Sequence, residues 1–270
     1  MGVVNVTPDS FSDGGLYLDP DAAVRHGVRL ADEGAAILDV GGESTRPGAA
    51  PVDEAEELRR VTPVVERLAR DAGSAVSIDT SKPAVARMAL AAGAEIVNDV
   101  SAFRFAPELA AVVAEHGAHC VLVHMLGEPR TMQADPRYDD VVSQVKSFLE
   151  ERLGFAVAQG IPEEHVWLDP GIGFGKTLEH NLELIRRLDE LVAVGRPVVI
   201  GVSRKSFLGR LTGRPADERV AATIAANVLA LERGAQVFRV HDVAQHVDAL
   251  TVAAATVSGA VKERWTSTIA

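Results

Sequence analysis

EGAAILDV, residues 33 to 40, decides how this chain is read. A glycine closes a helix-like stretch, and a short run of Ile, Leu and Val begins directly after it. Glycine just past a helix takes the left-handed conformation that ends the last turn without a Cβ clash. The run behind it barely alternates apolar with polar, as expected of a strand covered on both faces. The same unit returns as AGSAVSID, AGAEIVND, HGAHCVLVH, QGIPEEHVWLD, VGRPVVIGV and RGAQVFRV, with its glycine at Gly73, Gly93, Gly117, Gly160, Gly195 and Gly234. With the opening VVNV, eight strands are expected.

Between the first two strands, residues 19 to 33 read as a helix. Asp19 can cap it, Pro20 fits the first helical position, and Val24, Val28 and Ala31 share a face. Strand and helix alternating eight times in about 250 residues suit a closed α/β barrel better than an open doubly wound sheet. No linker, low-complexity tract or composition shift divides the 270 residues. The expectation is a (β/α)8 TIM barrel, a single domain spanning 1–270.

Bulk properties narrow the partners. Lys and Arg number 27 against 38 Asp and Glu, a net charge of -11. That sign argues against a general basic face for nucleic acid or anionic membrane, so any anionic ligand must meet a local cluster. The single cysteine, Cys120, lies in an apolar run and reads as a small buried hydrophobe. A lone cysteine forms no internal disulfide, and a cytoplasmic setting is expected. No apolar run reaches the ~20 residues of a membrane span. Because a strand-like run begins almost at residue one, the natural start is expected to be trimmed or to carry little ahead of that strand.

In such barrels the reacting groups stand at the C-terminal strand ends and on the loops that follow. Those ends read Asn5, Asp39, Asp79, Asn98-Asp99, His124, Asp169, Ser203-Arg204-Lys205 and Arg239-Val240-His241. Each is polar or ionisable. Capping and turn duty explain any one of them about equally well, but not all eight together. Asp79, Asn98 and Asp169 offer acceptors in the middle strands. Lys205, Arg239 and His241 form a cationic corner where barrels often hold phosphate. Arg239 and His241, two apart, are expected on one side of their strand, with an ion pair to Asp242 or a loop carboxylate as the bland alternative. The ligand implied has a donor-rich end and an anionic tail.

LDPGIGFGKT, residues 168 to 177, resembles a nucleotide-binding P-loop but fails it, since Pro170 stands where the first glycine is required. It reads instead as the end of the sixth strand, with Gly171, Gly173 and Gly175 giving room for a flat ligand. Phe174 either faces that ligand or packs beneath the loop. Lys176 is expected to be a solvated first-turn residue.

Taken in order, MGVVNVTPDSFSDGG, LDVGGESTRPG, SIDT, VNDVS, HMLGEPRTMQ, LDPGIGFGK, IGVSRKSFLG and RVHD resemble dihydropteroate synthase. The resemblance runs from Met1 to about Thr251. It implies a (β/α)8 barrel, usually a homodimer, that joins 4-aminobenzoate to 6-hydroxymethyl-7,8-dihydropterin diphosphate in folate biosynthesis, releasing diphosphate. Carried over, Asp79, Asn98 and Asp169 bind the pterin ring, with Lys205 at its carbonyl edge and His124-Met125 lining the pocket. Arg239 and His241 hold the diphosphate, Asn5 binds Mg²⁺, and Thr45 contacts the pterin substrate. Around 4-aminobenzoate come Phe11, Thr45, Arg46, Pro47, Phe174, Lys205 and Ser206, and Asp13 helps hold the first loop closed.

The resemblance implies Asp79, Asp169, Lys205, Arg239 and His241 as the catalytic set. Two departures stand out: Leu126 replaces a residue often polar, and Ala102 replaces a glycine after NDVS. The rival readings are a methyltetrahydrofolate-type methyltransferase on the same barrel, which would lack the diphosphate corner and the STRPG loop, and a non-catalytic pterin-binding paralogue.

Overall fold

The computed structural model describes residues 1–7, 19–44 and 51–259. Strands and helices alternate along it. β1 (Gly2–Asn5), α1 (Pro20–Asp32), β2 (Ile37–Gly41), α2 (Glu54–Asp71), β3 (Ala75–Asp79), α3 (Pro83–Ala91), β4 (Ile96–Asp99) and α4 (Leu109–His116) come first. β5 (His119–Val123), α5 (Val141–Ala158), β6 (Val166–Asp169), α6 (Leu178–Arg186) and α7 (Asp189–Val192) follow. The chain closes with β7 (Val199–Ile200), α8 (Ser206–Thr212), α9 (Val220–Glu232), β8 (Val237–Phe238) and α10 (Val243–Ser258).

Local sequence explains where these elements start and stop. Asp19 accepts a hydrogen bond from the Asp21 amide at 2.9 Å and Pro20 takes the first helical position of α1. All seven helix-ending glycines picked from the sequence have positive φ, between 62° and 106°. The regions after β6 and β7 each hold two helices, α6 with α7 and α8 with α9, rather than the one per strand the repeat implied.

β1 to β6 pair in parallel in chain order, and β7 pairs with β8. Two single bridges, Leu168 beside Val198 and Gly2 beside Val240, join the sets. At these seams Leu168 N donates to Pro197 O at 2.9 Å, and Val3 N donates to Val240 O at 3.0 Å. The ladder therefore returns to its own start, and the sheet is a closed (β/α)8 barrel with the helices outside it.

The apolar residues fall into two clusters, as closure demands. The larger packs outward-facing strand residues such as Val4, Leu38, Ile78, Val97 and Leu122 against the helices. The smaller contains Ile37, Ile96, Val121, Val123, Trp167 and Val199, the opposite parity on the same strands, and fills the barrel. Cys120 is fully buried, and burial pushes its thiol pKa up, so it behaves as a small hydrophobe. Among the described residues no helix is long and apolar enough to cross a membrane.

Four strand ends differ from the sequence reading, β5 among them, since it stops at Val123 just before His124. β2 continues past Asp39 to Gly41, while β7 and β8 stop early and leave Ser203 to Lys205 and Arg239 to His241 on the segments beyond. Asp39 thus sits inside the barrel, one layer deeper than the mouth. A single carboxylate in a run of Ile, Leu and Val reads naturally as a terminus; only the pairing register shows two more residues beyond it.

Candidate active site

Parallel register brings the polar strand ends together. Gly41 lies beside Asp79, Asp79 beside Asn98, and Val123 beside Asp169. With period-two alternation these positions face the barrel axis, Asp79 and Asn98 directly paired and Asp169 two residues beyond the line that runs from Asn98 through Val121 to Trp167. Above them opens a cavity of about 680 Å³, whose wall includes Asn5, Asp79, Asn98, Asp169, Phe174, Lys205, Ser206, Arg239 and His241. Nine of the residues singled out in the sequence are therefore gathered in one place. Phe11, Asp13, Thr45, Arg46 and Pro47 lie outside the described residues, although their neighbours Ser44 and Glu43 also line the cavity.

The charges are interleaved rather than segregated. Arg239 NH2 donates to Asp79 Oδ2 at 2.8 Å, and its Nε donates to Asp39 Oδ2 at 2.6 Å. Asn98 Nδ2 donates to the same Asp39 oxygen at 3.1 Å. The ion pair with Asp242 weighed for Arg239 does not form; Arg204 takes Asp242 instead. His241 turns to Ser203, with Nδ1 2.8 Å from the hydroxyl oxygen.

On the far wall, Asp169 Oδ1 accepts from the Gly171 amide at 2.6 Å. Lys205 donates to the Ile172 carbonyl, and its Nζ lies 4.5 Å from the Phe174 ring centroid. Phe174 so takes both of the roles left open, presenting a face to the cavity and packing with the barrel cluster.

Burial sets the protonation of these groups. Asp79 is pushed up to about 7 by desolvation, which the Arg239 charge opposes. Asp169 is raised for the same reason, against the pull of Lys205. Lys205 falls to about 8 through desolvation, opposed by Asp169. The site thus holds one acid, Asp79, and a lysine whose charge states change near neutrality.

Glycines shape the wall, and not all as expected. A Cβ on Gly171 would run into the His124 carbonyl oxygen, and one on Gly175 would come within 2.7 Å of the Leu126 oxygen. Both have positive φ, 66° and 64°. They let the β6 loop lie flat on the β5 loop, rather than making room for a ligand. The room comes from Gly201, which sequence reading passed over. A side chain there would enter the space bounded by Lys205 Nζ at 3.8 Å, Asp169 Oδ2 at 3.9 Å and Arg239 Cβ at 4.0 Å.

Two further expectations are corrected. Lys176 is not solvated: it is 3% exposed, with Nζ 2.8 Å from His124 Nδ1 and donating to the Phe174 carbonyl at 3.0 Å. Desolvation drives its pKa well below the usual lysine value, and His124 falls to about 2, first through burial and then through the Lys176 charge. Met125 packs in the barrel cluster, but among the described residues it is Met132 and Gln133 of that loop that reach the cavity. His124 likewise turns to Lys176 and is not on the cavity wall. Sequence gave no sign of the Lys176 placement, since an amine after three glycines fits either environment.

Ala102 and Phe103 adopt φ of 52° and 63°. A glycine at position 102 would meet this backbone without strain.

The family model for the pterin binding enzymes matches residues 1–241. The dihydropteroate synthase of Mycobacterium leprae (strain TN) is 51% identical over 263 residues, covering 94% of this chain and 92% of the relative. That of Escherichia coli (strain K12) is 45% identical, covering 98% and 94%. The solved structure of the Xanthomonas albilineans enzyme in complex with 7,8-dihydropteroate superposes with a TM-score of 0.86 at 49% identity, covering 94% of this chain and 92% of that one. With the barrel closed, its polar mouth assembled and likeness extending over nearly the whole length, the chain belongs to the dihydropteroate synthase family of pterin-binding enzymes.

Proposed function

We propose that the floor of the cavity holds the pterin ring, its basic side the diphosphate, and its outer rim the arylamine. As a dihydropteroate synthase, a transferase, the chain condenses 6-hydroxymethyl-7,8-dihydropterin diphosphate with 4-aminobenzoate to give 7,8-dihydropteroate and diphosphate. One observation carries the division of the site: Asp79, Asn98 and Asp169 line one cavity, in a space that Gly201 leaves open. A flat ring rich in N–H donors adds to the bonds that Arg239 and the Gly171 amide already make to Asp79 and Asp169, whereas an apolar ligand would displace water from these acceptors and return no hydrogen bond. Lys205, between Asp169 and Phe174, supplies the donor for the ring carbonyl.

Arg239 and His241 take the diphosphate. Asn5, an oxygen donor on the cavity wall at the end of β1, suits Mg²⁺. A single protein oxygen is a reasonable share for Mg²⁺, a hard cation that favours oxygen donors. When bound, it neutralises charge on the departing diphosphate. Thr45, Arg46, Pro47 and Phe11 are assigned to 4-aminobenzoate from sequence, beside Ser206 and Phe174, with Arg46 matched to the carboxylate. Thr45 also contacts the pterin substrate, and Met125 supports that pocket from the barrel cluster.

The chemistry these residues support begins with loss of diphosphate. Arg239 and His241 stabilise the leaving anion, Asp79 and Asp169 the positive charge spreading into the pterin, and the amine then attacks the exposed carbon. The ammonium proton leaves to solvent or to diphosphate. The chain works as one domain, residues 1–270, in the cytoplasm, and as a homodimer. Exposed Leu229 on α9 with Val252 and Val257 on α10, 46%, 68% and 58% accessible, supports a second copy on that side.

The test is direct. Purified protein with both substrates and Mg²⁺ should yield dihydropteroate, read by mass, and one diphosphate per product. Arg46→Ala should raise the KM for 4-aminobenzoate while pterin binding stays; collapse of pterin binding with arylamine binding intact overturns the assignment of the rim.

A further inference from the structure

We infer that Asp39 is a positioning residue for the pterin end of the reaction: its Oδ2 gathers Asn98 Nδ2 and Arg239 Nε, fixing which atoms of both side chains face the substrate. The inference rests on the pterin site proposed above and adds a residue that the sequence reading had placed at a strand end and given no role.

The geometry makes the argument. Asp39 is fully buried in β2, paired in register with Ser77 of β3, one layer below Asp79. It is not part of the cavity wall. One oxygen accepts two donors, Asn98 Nδ2 at 3.1 Å and Arg239 Nε at 2.6 Å. An amide has one donor end and one acceptor end, so a carboxylate beneath Asn98 holds the NH₂ downward and leaves Oδ1 as the end that meets the substrate. Asn98 therefore presents an acceptor, as a donor-rich ring requires. Without Asp39 the amide could turn over at little cost, and half its orientations would set donor against donor.

The same oxygen settles Arg239. Its guanidinium is shared between Asp39, which lies off the cavity wall, and Asp79, which lines the cavity. When ring N–H groups take Asp79, they compete with Arg239 for that carboxylate, and the bond to Nε is the one that remains. Asp39 thus retains the arginine while Asp79 exchanges partners. NH1 of Arg239, which has no partner among the described residues, stays available to phosphate oxygens. A buried carboxylate costs more than an apolar side chain of its size unless it is well paired. Asp39 keeps its other oxygen, Oδ1, buried and without a partner among the described residues. Packing alone does not call for such a group.

The experiment compares the unaltered chain, Asp39→Asn, Asn98→Ala and the double variant. Binding of 6-hydroxymethylpterin is titrated calorimetrically between pH 5.5 and 8.5, and KM is measured for both substrates. Asp39→Asn should weaken pterin binding by about tenfold or more, the scale of a lost charge-assisted hydrogen bond, and leave the KM for 4-aminobenzoate within about twofold. The double variant should bind scarcely worse than Asn98→Ala alone, since one removes what the other positions. The pH midpoint of pterin binding should move below about 7, because Asp39 is one of the charges holding Asp79 up. A merely structural role would lower the melting temperature and move none of these.

Unchanged pterin affinity in Asp39→Asn, or losses that multiply independently in the double variant, overturns the inference. Failure of the unaltered chain to bind the pterin overturns the site reading itself, and this inference with it. Should Asp39→Asn not fold, Asp39→Glu keeps the charge but displaces the oxygen by a methylene, and the same pterin-selective loss is expected.

Discussion

The Asp79 carboxylate and the Arg239 guanidinium meet at 2.8 Å across the barrel, 160 residues apart in sequence. Neither is spare: both line the cavity, so the substrate must enter a pair already made. Because burial raises Asp79 to about 7, its charge and its ability to accept two hydrogen bonds change within the physiological range. Two consequences can be measured on one variant. Asp79→Asn should weaken pterin binding by about 1–3 kcal/mol at pH 8, read by calorimetry, with the difference from the unaltered chain narrowing toward pH 5. For stability the sign is opposite. A carboxyl whose folded pKa is raised stabilises below its unfolded value near 4 and loses that contribution as pH rises through about 7. Asp79→Asn should therefore gain stability relative to the unaltered chain from pH 5 to pH 8 in denaturant unfolding.

The Gly171 backbone lies so close to the His124 carbonyl that no side chain fits between them, and its φ is 66°. Gly171→Ala should lose about 2 kcal/mol or more, from a left-handed alanine at about 1–2 kcal/mol plus displacement of the β5 loop. A melting temperature unchanged from the parent would show that the two loops are free to part. Gly195→Ala, where a Cβ meets nothing within 4 Å but φ is also positive, separates the two causes by showing the backbone cost alone.

Lys176 is buried with its pKa far below the ordinary value, so the folded chain binds fewer protons there than the unfolded one. Stability then rises with pH until the unfolded lysine titrates, near 10.5. Lys176→Met removes this dependence. Between pH 7 and 10 the unaltered chain should gain on the variant in urea unfolding, and parallel curves would place the amine in water.

At the start of α3, Lys82 donates to Glu43 and to Glu57 of α2, and Glu57 is fully buried. Glu43 also accepts from the Val52 amide at 3.2 Å, tying the two ends of the segment that carries Arg46. Removing Lys82 leaves a buried carboxylate without its counter-charge, a loss of about 3–5 kcal/mol when both partners are buried. With Lys82 still 24% exposed, Lys82→Met should cost roughly 2–3 kcal/mol. Adding Glu57→Gln should restore part of it, and a double variant as unstable as the sum of both would argue against direct pairing.

The sequence by itself determined the repeat. Seven glycines past seven helices, each ahead of an unalternated apolar run, sufficed for eight βα units, because the left-handed turn and the two-sided burial of a parallel strand are local demands that each segment meets alone. It also marked which residues are polar at the barrel mouth, since Asp79, Asn98 and Asp169 interrupt runs that are otherwise apolar. What it left open is which polar group answers which. Asp39 and Asp79 look alike in LDVGG and SIDTS, yet one lies a layer inside the barrel and the other on the cavity wall, a difference of two residues in register that only strand pairing sets. Lys176 and Lys205 likewise follow glycine and arginine in similar loops, and only the neighbouring loops decide that the first is buried against His124 and the second spans Asp169 and Phe174. Charge pairing across a barrel joins strands far apart in the chain, so its partners are chosen by closure of the sheet and not by any property of the segments that bear them.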